Sequence, residues 1–392
     1  MRPVIAVATL VVSILFAAGA AFAQSQVTVP PRRSDASRPL PLTSFYDTPH
    51  PLPAGKPGEL IRSVAFDDYD LPYAVSAVRI LYHSRSATGE DVASSGVVLF
   101  PTDAKPPAGG WPVIAWAHGA TGVARTCAPS LMRNLGHGPF FSMYVNLGYA
   151  VVAADYTGLG TRFRNAFLDG QSNADDVINS LAAARAAVPQ LGSRWIVMGE
   201  AEGGLAALAV AEKESQIRDP GYLGDVVISG LAGAKELYQP LPSGSAILSL
   251  AYGIQTVYPQ FQVTDILKPK ALALYHQIGQ SCSGTGAEWS PMEIMKPGWE
   301  NNPFVTQYFA RNSLGQTKAF GPILTISAEA SQSSSASSTS QAIVRMCKLG
   351  DTVQWERYPD QSLGSVIGDS ARDQIAWIES RFAGRAAHSN CR

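Results

Sequence analysis

Residues 195–205 read WIVMGEAEGGL, placing Gly199-x-Ala201-x-Gly203 between an apolar run and a helical pattern. With serine at its centre, Gly-x-Ser-x-Gly is a nucleophile elbow, a sharp strand-to-helix turn that lifts a hydroxyl above a parallel sheet. The central residue here is Ala201, whose methyl group has no lone pair and no proton to give up. Either the pattern is a coincidence, or the turn has kept its shape and lost its nucleophile. Ser229, Ser327 and Ser331 lie near the ends of other apolar runs, so a hydroxyl could have been relocated. A relocated serine still needs an imidazole as its base. Of the six histidines, His50 lies in an N-terminal stretch and His83 on a hairpin. His118 precedes a turn glycine, His137 and His276 fall in loops, and His388 is in the tail. None follows the last apolar run.

The elements that position these residues are legible as short apolar runs. AVSAVRILYHS and VASSGVVLFP alternate around residues 87–90 and read as a β-hairpin. Five near-continuous runs follow: 112–118, 149–155, 195–199, 225–230 and 322–327. Short apolar runs bounded by turns suit strands buried on both faces of a parallel sheet. Helical patterns at 175–187 and 203–214 lie between them, which predicts an α/β fold with right-handed crossovers. The alternation fails over 235–320, which reads as a helical insertion where a cap or lid would sit. The core is thus expected at 59–234 and 321–392. Residues 331–340, SQSSSASSTS, read as a mobile polar loop. A final strand is expected at 353–358 and a final helix at 369–382.

Residues 1–23 have the layout of a secretory signal peptide: Arg2, an apolar stretch from Val4, then Ala21-Phe22-Ala23. Residues 24–58, rich in Pro and Ser, read as an extended arm on a surface. No later segment reaches the length of a membrane span. The mature chain is expected to be secreted or periplasmic. With 30 basic and 31 acidic residues, no nucleic-acid partner is implied. The four cysteines lack metal-ligand spacing and are expected to form two disulfides, with three connectivities open. Cys127–Cys282 with Cys347–Cys391 is the favoured pairing, because the second bridge would tie the tail to the last helical unit.

The segments 45–63, 81–101, 114–130, 148–161, 195–212 and 377–384 resemble the secretory lipases, an α/β-hydrolase family typified by fungal lipase A with many bacterial esterase members. The resemblance implies the α/β-hydrolase fold: a mostly parallel sheet flanked by helices, with a cap over an acyl-binding cavity. It also implies a Ser, Asp, His triad. Carried over by motif, the serine position is Ala201. The aspartate position, in ISAEASQSS, is Ser331 or, one residue earlier, Ala330. The histidine position, in YPDQSLGSV, is Leu363. None of these supplies a nucleophile, a carboxylate or an imidazole. On the oxyanion side the family pattern falls on Asp155, Glu202, His118 and Gly119, which turn geometry alone could also explain.

Glu200, Glu202, Glu329 and Asp360 flank the three vacated positions. They could form an acidic cluster for acid–base work or a hard cation. In the plainer reading Glu202 complements the helix dipole and the others are solvated. No cofactor or metal is expected. The reading that follows is a pseudoenzyme binding an apolar or acyl ligand, or a protein partner; the alternative is an active lipase or carboxylic ester hydrolase with a relocated or unrecognised triad.

Overall fold

The computed structural model describes residues 39–72, 74–230, 235, 243–280, 282, 288–330 and 334–391, with only the backbone of 334–338. The expected signal peptide, the first part of the arm and Ser331 lie outside the described residues. Nine strands form one sheet in the order β1-β2-β3-β5-β4-β6-β7-β8-β9. β1 (Leu60–Ala65), β2 (Val75–Arg85) and β3 (Asp91–Pro101) run as an antiparallel meander, and β3 pairs antiparallel with β5 (Ala150–Ala154). From β5 onward every pairing is parallel, through β4 (Trp111–Ala117), β6 (Leu191–Glu200), β7 (Tyr222–Ile228), β8 (Ile323–Ala328) and β9 (Val353–Tyr358). Each expected apolar run is a strand, and β1 is an addition.

The two-residue period of a strand divides those runs between two cores. Val113, Ala115, Val152 and Val197 face α2 (Gly170–Ala187) and α3 (Glu202–Ile217). Ile114, Trp116, Val151, Ile196 and Met198 face the opposite way, onto α1 (Gly138–Asn146) and the C-terminal helix. Burial on both faces is why these runs show no polar alternation.

Between β7 and β8 lie α4 (Gly244–Val257), α5 (Pro269–Ile278), α6 (Pro291–Ile294) and α7 (Pro303–Arg311). They build a core of their own, including Leu248, Ile254, Phe261 and Tyr308, which takes in Phe167 and Leu168 from the loop before α2. Arg311 clamps the same loop, donating to the Asp169 carboxylate from Nε at 2.6 Å and Nη2 at 3.0 Å.

One expectation needs correction. The serine-rich stretch is not a loop from residue 334 onward: α8 spans Ser334–Leu349. Ile343 and Met346 recur on one helical face and pack into the main core, with Ala342 buried beside them, and that burial outweighs the indifferent helix preference of serine. The final helix expected over 369–382 is α10 (Ala371–Phe382), and a further short helix, α9 (Leu363–Asp369), precedes it. The described part of the arm is also more than a surface strap. Tyr46 is fully buried and its hydroxyl lies 2.7 Å from Ser130 Oγ.

All four cysteines are paired, Cys127–Cys282 and Cys347–Cys391, as favoured. The first bridge joins the loop after β4 to the insertion across 155 residues of chain. Replacing both of its cysteines with alanine is expected to cost about 2–5 kcal/mol in urea unfolding. A loss below 0.5 kcal/mol would show that the insertion is held by its packing alone.

Candidate functional site

The β6–α3 junction is a tight elbow. Ala201 caps α3 with φ 52° and ψ −113°, a conformation that side-chain-bearing residues rarely adopt. Its N–H donates to the Ile228 carbonyl at 3.1 Å, and its own carbonyl accepts from Gly204 N at 2.9 Å. The glycines beside it are required by contact: a methyl on Gly199 would lie 2.0 Å from the Gly203 carbonyl oxygen.

A cavity of about 280 Å³ opens at this elbow. Ala201, Glu200, His118, Gly119 and Thr121 line it together with Pro129, Met132, Leu135 and His137. His137 is held edge-on to Trp116, with ring centroids 5.2 Å apart, and its Nε2 stands 3.8 Å from Glu200 Oε2. That is an electrostatic approach, too long for a hydrogen bond. Burial pushes the Glu200 carboxyl up and the His137 imidazole down.

The other residues on the oxyanion side are engaged elsewhere. His118 Nδ1 lies 2.6 Å from the Gly119 carbonyl and Nε2 3.0 Å from that of Asp155, and the ring stacks on Tyr156. Both ring nitrogens thus face backbone carbonyls, and the neutral ring that burial favours donates to one of them. Asp155 is buried and accepts from Ser95 Oγ at 2.6 Å, Ser130 Oγ at 2.5 Å and Ser130 N at 2.8 Å. Its carboxylate braces loops and does not line the cavity. Glu202 is buried beneath the elbow, where Oε1 accepts from Leu168 N at 2.8 Å and Asn173 Nδ2 at 3.0 Å. Its backbone N–H, at the first helical position, has no intrahelical partner.

Leu363, the position matched to the histidine, opens α9, is exposed, and is not among the cavity-lining residues. The registration after β8 falls on Ala330 and on Ser331, the latter outside the described residues. Ala330 donates to the Gln361 carbonyl and is exposed. The four carboxylates flanking these positions do not converge. Glu329 pairs with Arg357 Nε at 2.7 Å, Glu202 points inward, and Glu200 alone of the four lines the cavity. Among the described residues no three His, Cys, Asp or Glu side chains could share a metal ion.

Nor does a relocated Ser–His pair emerge among the described residues. Ser327 Oγ accepts from Trp355 Nε1 at 2.8 Å, and Ser229 Oγ is buried without a partner. His83 is bound to Asp91 on the hairpin. The pairing of His137 with Glu200 was not read from the sequence. The available signal was Gly138-Pro139, which marks a helix start and fixes His137 just before it.

No protein-family profile matches the chain, and neither does any curated protein sequence. Solved structures do. Candida antarctica lipase A superposes with a TM-score of 0.76 at 16% identity, over 89% of this chain and 87% of that one. The rice cell wall degrading esterase LipA from Xanthomonas oryzae gives 0.71 at 18%, over 85% and 100%. A putative hydrolase from Legionella pneumophila gives 0.71 at 17%, over 84% and 100%. The fold is therefore the α/β-hydrolase fold of lipases and esterases.

Burial raises the Glu202 carboxyl from 4.5 to about 7. The folded chain keeps a proton that the unfolded chain releases. That contribution is present below pH 4.5 and lost as pH climbs to about 7. Glu202→Gln keeps the acceptor for Leu168 and Asn173. It is expected to match the parent near pH 4.5 and to gain up to about 3 kcal/mol on it by pH 8. A difference that does not vary with pH would contradict the shift.

Proposed function

We propose that this chain is an exported, lipase-like protein that binds an acyl or other apolar ligand, or a protein partner, without serine chemistry. The observation that carries the reading is Ala201, a methyl group at the strained turn where the fold presents its nucleophile. Covalent ester cleavage needs a nucleophile, a base within hydrogen-bond reach and a group that orients the base. In the serine protease subtilisin, loss of the nucleophile alone costs about 10⁶ in turnover. Three positions matched to the family's triad, Ala201, Ser331 and Leu363, would have to be restored here.

Binding is supported by the cavity, whose wall includes Pro129, Met132 and Leu135, and by the insertion, which in this reading acts as the cap. Export is supported by the character of residues 1–23 and by two disulfides, which persist in oxidising compartments.

The purified mature protein is expected to show no covalent labelling by a fluorophosphonate probe and no turnover of p-nitrophenyl esters above buffer. Labelling at any serine, with ester turnover that the probe abolishes, would replace this reading by an active carboxylic ester hydrolase using an unrecognised triad.

A further inference from the structure

The cavity at the elbow carries a polar edge that suits one small class of ligand. Glu200 Oε2 is an acceptor without a donor: no described residue hydrogen-bonds to this carboxylate, and His137 Nε2 stands off at 3.8 Å. Neither ring nitrogen of His137 is hydrogen-bonded among the described residues, so a neutral imidazole protonated at Nε2 offers a donor beside that acceptor. Gly119 keeps the edge open. A methyl there would lie 2.9 Å from Glu200 Oε2 and 3.6 Å from the Ala201 methyl, so the carboxylate and the elbow border the same gap. The rest of the wall includes Pro129, Met132 and Leu135.

An acceptor and a donor side by side are complemented by a ligand that presents a donor and an acceptor side by side. We propose that the cavity selects a small primary carboxamide, its NH₂ donating to Glu200 and its carbonyl accepting from His137, with a short apolar tail on the Leu135 side. This rests on the reading of the elbow as a binding site. An ester of the same length has only acceptors and leaves Glu200 unpaired. A carboxylic acid, ionised at neutral pH, also sets like charge against it. At ~30 Å³ per water-sized group, a volume of about 280 Å³ holds about nine heavy atoms, which suits a six-carbon amide.

The test is a calorimetric titration of the full chain at pH 8 with hexanamide, methyl hexanoate and hexanoate. Hexanamide is expected to bind at least about ten-fold more tightly than either, the range for a hydrogen bond to a charged group. Glu200→Leu should abolish that preference while the ester still binds; His137→Phe should reduce it. Equal binding of amide and ester, or a preference that survives both substitutions, overturns the proposal and leaves the binding reading standing. Absence of binding by all three overturns the proposal and the acyl-ligand reading of the elbow, and leaves the protein-partner reading.

Discussion

The structure turns on the backbone of one residue. Ala201 holds φ 52° and ψ −113°, a conformation costing about 1–3 kcal/mol that persists only where its surroundings impose it. Those surroundings are specific. A methyl on Gly203 would meet the Ala117 carbonyl oxygen at 1.9 Å, so α3 can press onto the end of β4 only because residue 203 has no side chain. β6 continues into α3 through this turn, and β4 and β7 flank β6 in the sheet. The elbow is thus enforced by sheet-to-helix packing and does not depend on a reactive hydroxyl at its tip.

The polar residues around the elbow have an architectural account as well. Asp155, Asp176 and Glu202 are buried carboxyls, and each is met by donors from a different stretch of chain. Asp176 takes Thr157 N at 2.6 Å and Thr157 Oγ1 at 2.9 Å, and burial pushes it up to about 7. Breaking such a contact strands a buried group, which costs more than the bond contributes. Together they fix the loops after β4 and β5 against α2 and α3. Glu200 and His137 differ in kind: they face the cavity, and no hydrogen bond among the described residues spends their polar atoms.

Much of this was legible in the sequence, because β4 to β8 are buried on both faces and a strand of that kind advertises itself as an unbroken apolar run. The elbow was legible for a similar reason, since Gly199 and Gly203 are dictated by close approach. What escaped depends on tertiary contact. The helix over 334–349 begins in serines and is stabilised by Ile343 and Met346 reaching the main core, which no local pattern records. Asp155 and Glu202 match a turn motif, yet only the fold shows Asp155 spending its carboxylate on Ser95 and Ser130. The meeting of His137 and Glu200 joins residues from separate elements, and spacing along the chain carries no trace of it.

The proposal that the elbow performs no serine chemistry is tested most directly by Ala201→Ser. The single variant, assayed for p-nitrophenyl ester turnover under single-turnover and steady-state conditions, is expected to remain at the background rate. Leu363 supplies no imidazole, both His118 ring nitrogens face backbone carbonyls, and His137, the other imidazole of the cavity wall, has no hydrogen-bonded carboxylate to orient it, since Glu200 stands off at 3.8 Å. Turnover at the 1–10³ per second typical of enzymes, about ten per second at the median, would place a working base at the elbow and contradict the account.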